Sequence, residues 1–413
     1  MRDRSREITV SWKDAQRLKI LEEVRGGSRT QVSAARSLGI TDRWIRRLLQ
    51  KLKRRGVAGL VHGNRGRPSK RRIPDGTRER IVRLYRDRYE RFNLTHFREM
   101  LLERERVKAP CREILRRILD EAGAWEARRR APKHRLRRPR REHEGELLQL
   151  DASMHAWLGE DQPTVALVGA IDDATSNVAD AQFFPAETTE AYLSLLGGIL
   201  RKRGVPRSVY TDRDSVFVVN NAKEADLLRA QGRVPRTQFG RALKELGIDW
   251  IAAYSPQAKG RIERLWGTFQ DRLLNELRLH RIRTLPEANE YLQKNFLRRY
   301  NQKFPVPPAH PQAVYRPAPL HRTLQSILCS KESRILARDH TFSWEREHWQ
   351  VLPCAKAPAL TGRRIEVRHP LRGSIEAWFG AIRLAIRPAP LRRPAPELRA
   401  AEPSYPFRGR LRR

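Results

Sequence analysis

The chain has 413 residues, 39% of them hydrophobic, and carries 85 Lys+Arg against 47 Asp+Glu, a formal net charge of +38 with a pI near 11.3. That length allows two to four domains with at least one large core, and charge on this scale points to a polyanionic partner, because each phosphate neutralised by Lys or Arg releases counterions. No apolar run approaches the roughly 20 residues of a membrane span and no secretory signal is seen, so a cytoplasmic protein without a membrane partner is expected. Cys111, Cys329 and Cys354 lack CxxC spacing and nearby histidine pairs, which implies neither a disulfide framework nor a structural zinc site.

The charge is unevenly placed: residues 1–143 hold 43 Lys+Arg against 18 Asp+Glu. Within them, residues 11–55 predict a helix-turn-helix in a domain spanning 1–63. A first helix with Ala15, Leu18, Leu21 and Val24 ends at Gly26 and Gly27. A short second helix with Val32, Ala35 and Leu38 stops at Gly39. Thr41 is a good N-cap for a third helix with apolar Ile45, Leu48, Leu49 and Leu52. Its opposite face presents Arg43, Arg46, Arg47, Gln50, Lys51 and Arg54, the arrangement that sets a recognition helix into a major groove. The alternative is a three-helix unit with a solvated basic face.

Residues 64–73 form a basic, AT-hook-like linker, whose Arg65 and Arg67 suit a minor groove or a plain linker equally well. Residues 74–127 predict a second helix-turn-helix, with or without a wing, from helices over 77–89, 94–105 and 112–121. Residues 128–141, RRRAPKHRLRRPRR, hold nine Lys/Arg, two prolines and no acid. No core forms there, so 128–143 reads as a phosphate-tracking linker.

From 144 to 320 strands and helices alternate. Buried strands are expected at 146–153 (ELLQLDAS), 164–171 (TVALVGAI), 177–184, 208–211 (SVYT) and 249–253. Helices are expected at 188–202, 237–246 and 260–279, with a polar insertion over 217–236. Three strands followed by alternating elements suit a mixed α/β sheet flanked by helices. Residues 330–387, with short alternating runs at 363–368, 374–379 and 381–385, suggest a small β-barrel, and the Pro/Arg-rich tail 388–413 reads as disordered.

Three acids stand out against this background. Asp151 closes the apolar run ELLQL, Asp212 follows the strand SVYT in YTDRDSVF, and Glu263 lies in SPQAKGRIER at the start of a long helix. Carboxylates from two neighbouring strands and a crossing helix can converge on one spot as a hard-oxygen site suited to Mg²⁺ or Mn²⁺. Two such ions, about 3.5–4 Å apart, activate the attacking oxygen and stabilise the leaving one in phosphodiester displacement. The plain reading of Glu263 is a helix salt bridge, with Lys259 as its partner. Asp172 and Asp173 read as a strand-end turn, with a supporting role behind the site as the alternative, and Asp214 competes less well than Asp212.

On these motifs the block from about 144 to 310 resembles the catalytic core of DDE transposases and retroviral-type integrases. The layout of residues 11–386 resembles bacterial insertion-sequence transposases, nearest the ISNCY group. The resemblance implies an RNase H-like core with Asp151, Asp212 and Glu263 as catalytic residues and ligands of two Mg²⁺ (or Mn²⁺) ions. It implies Lys259 and Arg261 as DNA contacts, and a homo-oligomer of at least two chains acting on double-stranded DNA at terminal inverted repeats and target sites. It further implies 3′-end cleavage followed by strand transfer, in a prokaryotic cytoplasm and on the nucleoid when DNA is bound. Two departures are visible. Fifty residues separate Asp212 from Glu263, more than in many relatives, and the zinc-binding module of retroviral integrases is missing. Two other functions compete, a non-catalytic DNA-binding regulator and an RNase H-like structure-specific nuclease.

Overall fold

The computed structural model describes residues 11–62, 64, 72–126, 138–220, 222–230, 232, 234–253, 259–353 and 360–389. Arg65, Arg67, Cys354, most of the 128–143 linker, the motif residues 254–258 and the tail from 390 lie outside the described residues. The chain divides into two compact units, Met1–Ile81 and Val82–Arg413.

In the first unit, α1 (Trp12–Arg25), α2 (Gln31–Leu38) and α3 (Asp42–Arg55) follow the punctuation of the sequence. Ser11, Thr30 and Thr41 each accept a backbone N–H of the following turn, satisfying donors that have no partner inside a helix. Gly39 stops α2 in the left-handed region at φ 63°, a conformation that costs glycine no steric penalty. Leu21, Ala34, Ala35, Ile45, Leu48, Leu52 and Leu60 form the core. Arg43, Arg46, Arg47, Gln50, Lys51 and Arg54 are all exposed along α3.

Helix α4 (Asp75–Leu84) runs into a π turn at Tyr85–Tyr89, and is followed by α5 (Leu94–Glu103) and α6 (Arg112–Glu121). In the second unit Tyr85, Tyr89, Phe92 and Phe97 pack ring against ring. The α/β region then contributes β1 (Leu147–His155), β2 (Val165–Asp172), β3 (Val178–Phe184), α7 (Thr189–Lys202), β4 (Ser208–Thr211), α8 (Ala222–Ala230), α9 (Gln238–Glu245), β5 (Asp249–Ala252) and α10 (Gly260–Leu279). The sheet order is β3-β2-β1-β4-β5. The first three strands pair antiparallel, while β4 lies parallel to β1 and β5 parallel to β4. This mixed sheet with flanking helices fits the expected RNase H-like core. The polar insertion expected over 217–236 holds α8, a short helix whose weak amphipathic pattern hid it.

Strand alternation decides which side chains face which helix. Leu148 and Leu150 of β1 join the core formed with α7 and α9. Gln149 and Asp151 therefore point to the other side, where α10 packs together with α11 (Leu285–Tyr291) and α12 (Leu297–Lys303). β2 is buried along its whole length because helices cover both of its faces.

The helix α13 (His321–Ile327) leads into β6 (Cys329–Ile335), β7 (Thr341–Trp344), β8 (Glu347–Val351), β9 (Arg364–Pro370), β10 (Glu376–Phe379), β11 (Ile382–Leu384) and β12 (Ile386–Pro388). Where a single barrel is expected, the described strands form two antiparallel sheets, β11-β10-β9-β6 and β12-β8-β7. They share a core that includes Leu336, Phe342, Trp344, Val351, Ile365 and Val367.

Candidate active site

The site is assembled from strand register. β1 and β4 pair in parallel, with Gln149 opposite Tyr210, so two residues further on Asp151 comes alongside Asp212. Both carboxylates meet one cation. The Lys259 ammonium, at the N-terminal end of α10, donates to Asp151 Oδ1 and to Asp212 Oδ2, each at 2.8 Å. Burial works against the Lys259 charge, but the two aspartates outweigh it and raise its pKa above the ordinary value. Lys259 is thus held by the two strand acids; it had been expected as Glu263's partner or as a DNA contact.

Asp151 has a second anchor. Trp266, one helical turn beyond Glu263, donates its indole N–H to Asp151 Oδ2 at 2.9 Å. The indole fits because Gly169, directly opposite Asp151 on β2, has no side chain. A Cβ at that position would lie 2.8 Å from the ring edge of Trp266. Asp214 is used locally: its carboxylate accepts from Ser215 Oγ and Val216 N, both at 3.0 Å, and closes the turn after β4. Glu187, between β3 and α7, accepts from Tyr192 Oη at 2.6 Å. Desolvation, and then the negative charges of Asp214, Asp151 and Asp212, raise the pKa of Glu187. A pocket of carboxylates has therefore formed in a chain whose net charge is +38.

Glu263 occupies the exposed face of the first turn of α10. The carboxylates of Asp151, Asp212 and Glu263 do not all approach within 4.8 Å of one another. The structure therefore joins the two aspartates through Lys259 and leaves Glu263 one turn further along the same helix.

A buried network fixes the start of that helix. Gln149 is fully buried; its Oε1 accepts from Ile262 N at 3.3 Å and its Nε2 donates to Asp173 Oδ1 at 2.8 Å. Asp173, also fully buried, takes the Arg261 guanidinium at 2.8 Å, the Arg141 backbone N–H at 2.9 Å and the Arg138 guanidinium. Arg261 is only 8% exposed. Arg261, expected as a DNA contact, has its side chain turned inward, because a buried carboxylate lies beneath the helix start. Asp173 thus anchors the helix start, the alternative that the sequence left open beside the turn role; Asp172 does cap the strand-end turn, accepting from Gly145 N, Thr175 N and Thr175 Oγ1, each at 2.8 Å. Gln149, Gly169, Glu187 and Trp266 carry no local signal of their own. Only the alternation that puts Gln149 on the Asp151 face could have drawn attention to it.

In the first unit, Trp44 is 39% exposed among the basic residues of α3. Lys51 Nζ lies 5.5 Å from the centre of its ring, an amphipathic surface that sequence reading also passed over. No described helix is long and apolar enough to cross a membrane.

A mixed sheet with carboxylates on adjoining central strands and a long helix across them, in so basic a chain, defines a polynucleotidyl-transferase-like class. No family model matches the sequence. Two curated relatives do. One, of Sinorhizobium fredii (strain NBRC 101917 / NGR234), is named transposase y4bF and is 37% identical over 375 residues, covering 90% of this chain and 80% of the relative. The other, the transposase for insertion sequence IS1202 of Streptococcus pneumoniae, is 34% identical over 321 residues, covering 69% and 67% respectively. The chain belongs to this family of insertion-sequence transposases. Among solved structures, a simian T-cell lymphotropic virus intasome in complex with PP2A regulatory subunit B56 gamma is similar at 12% identity and a TM-score of 0.32, covering 76% of this chain and 100% of that one. The HTLV-2 integrase catalytic core domain in complex with magnesium is similar at 15% identity and a TM-score of 0.27, covering 37% and 88%. At such TM-scores neither bears on this chain.

Proposed function

We propose that this transposase binds the terminal inverted repeats of its insertion sequence, cleaves at the 3′ ends and joins those ends to target DNA, working as at least a dimer. The observation that carries the chemistry is the bridged pair: two aspartates from adjoining strands converge on a single positive charge at 2.8 Å each. An all-carboxylate donor set of this kind suits Mg²⁺ or Mn²⁺, and the ammonium already stands where a cation is favoured. Asp151, Asp212 and Glu263 would hold two such ions, which when bound activate the attacking oxygen and stabilise the leaving oxygen at the phosphodiester.

The protein's own groups do the rest. Trp266 and Lys259 fix both oxygens of Asp151, and the Gln149–Asp173–Arg261 network sets the azimuth of α10 and with it the place of Glu263. Freed from the aspartates, the Lys259 ammonium would neutralise a phosphate of the reacting strand. Arg43, Arg46, Arg47, Gln50, Lys51 and Arg54 on α3 offer the base and phosphate contacts, with Arg to guanine and Gln to adenine the pairings that geometry favours.

The test is strand transfer by the full chain with Mg²⁺ and the DNA ends flanking its gene, comparing the natural protein with Glu263→Gln. Joining that disappears in the variant while end binding persists supports the assignment. Equal joining by both removes Glu263 from the site. Binding without any joining favours a regulator, and cutting without joining favours a structure-specific nuclease.

A further inference from the structure

A second ligand cluster lies outside the carboxylate pocket, where the chain enters β1 and where it runs on from α12. One donor atom from each of Glu142, His143 and His310 lies within 4.8 Å of the other two, the one such group among the described residues. Backbone bonds hold the three positions together. His143 and His310 form a parallel bridge, and His310 N donates to Glu142 O at 3.1 Å. Just beyond, Val314 N donates to Glu144 O at 2.9 Å. The imidazoles stack with centroids 4.8 Å apart, and His310 Nε2 lies 3.8 Å from the Glu142 carboxylate.

The protonation pattern is informative. His143 Nδ1 sits 3.0 Å from the carbonyl oxygen of Gln312. A carbonyl only accepts, so Nδ1 is the donor, and in the neutral ring that leaves the Nε2 lone pair open to a metal. Metal-binding histidines are oriented in the same way, by donating the other ring nitrogen to a carbonyl or carboxylate. Nearby cations are engaged elsewhere: Arg140 with the carbonyls of Asp173 and Ala174, Arg141 with Glu146. Glu142 and His310 are exposed and His143 is half-buried. An ion can therefore arrive from solvent, and the rings need only tilt out of their stack for the lone pairs to converge.

We propose that Glu142, His143 and His310 bind a borderline transition-metal ion of the Zn²⁺ class, with water completing the coordination. Two imidazoles and one carboxylate are an established donor set for zinc and a poor one for Mg²⁺. The ion ties the segment entering β1 to the segment following α12, and it is separate from the hard-cation pocket at Asp151.

The experiment is calorimetric titration of Zn²⁺ into the metal-stripped full chain, in excess Mg²⁺ to keep the carboxylate pocket out of the count. The natural protein should take up one equivalent more than either His143→Ala or His310→Ala. Glu142→Gln, an exposed and shape-conserving change, should weaken that equivalent at least tenfold. Zinc should raise the melting temperature of the natural protein but not that of His310→Ala. If the natural protein, both histidine variants and Glu142→Gln bind zinc with the same stoichiometry and affinity, the stack is packing alone and the proposal fails.

Discussion

Arg261 separates two accounts of the helix that follows the Ser-Pro-Gln motif. As a DNA contact its loss would weaken DNA binding and leave the fold untouched. In the structure it is 8% exposed and its guanidinium lies 2.8 Å from the fully buried Asp173. Arg261→Leu conserves part of the packing and removes the charge. Deleting one partner of a buried pair costs about 3–5 kcal/mol because the other charge is left uncompensated. Here Asp173 keeps Arg138, Gln149 and the Arg141 N–H, so the lower end, about 3 kcal/mol, is expected. For a unit of this size that corresponds to a fall in Tm of roughly 4 °C. Urea unfolding and a thermal melt measure the loss, and a fluorescence-anisotropy titration with end DNA measures binding in the same preparation. A variant of unchanged stability that binds DNA several-fold more weakly would refute the buried-pair account.

Other perturbations test neighbouring parts. Lys259→Met removes the ammonium that an incoming ion must displace from Asp151 and Asp212, so Mn²⁺ affinity without DNA, followed by paramagnetic resonance, should rise about tenfold, the net worth of one charged hydrogen bond; an unchanged affinity would mean the ion binds elsewhere. Gly169→Ala drives a methyl against Trp266, so stability should fall by about 1–3 kcal/mol and strand transfer should drop with it, while an unaffected variant would show that the indole moves freely. Glu276 is buried with His96, Tyr291 and Arg299 as donors; burial opposes its ionisation, yet these partners prevail and hold its pKa below the ordinary value of 4.5. A depressed carboxylate contributes stability above its unfolded pKa and loses it as pH falls through the folded one, so Glu276→Gln should be about 3 kcal/mol less stable at pH 7, with the difference closing below pH 4.5.

Much of this was legible because local signals and tertiary demands agree. Thr41 caps α3, Gly39 stops α2, and α10 begins and ends where its apolar period does, at Gly260 and Leu279. Asp151 and Asp212 were found because each ends an apolar run that register then brings together. What escaped notice depends on partners distant in sequence. Gln149 reads as a polar interruption of a buried strand until Ile262 N and Asp173 are seen on either side of it, over a hundred and over twenty positions away. Gly169 looks like one more small residue in TVALVGAI; its role exists only in relation to the Trp266 ring. Arg261 illustrates the converse: the resemblance implies a contact with DNA, whereas the acid that draws its side chain inward, Asp173, lies 88 positions away.

The Lys259 bridge reconciles the net charge of the chain with the chemistry assigned to it. A long-range field of +38 draws in DNA, but it equally repels the divalent ions that the proposed carboxylate site would hold. Asp151, Asp212, Asp214 and Glu187 lie near enough to interact, and left bare they would suffer like-charge repulsion, which adds to desolvation in raising the pKa of Glu187. Lys259 resolves both problems while no DNA is bound. Its ammonium neutralises two aspartates at 2.8 Å and keeps them aligned. Because it is rooted at the start of the helix that carries Glu263, its departure toward a phosphate, as proposed above, would leave two oriented carboxylates behind. On this account metal affinity and DNA binding are coupled through one side chain. Saturating the chain with end DNA should then tighten Mn²⁺ binding in the natural protein and do so far less in Lys259→Met. Equal tightening in both would show that the ammonium is not the link.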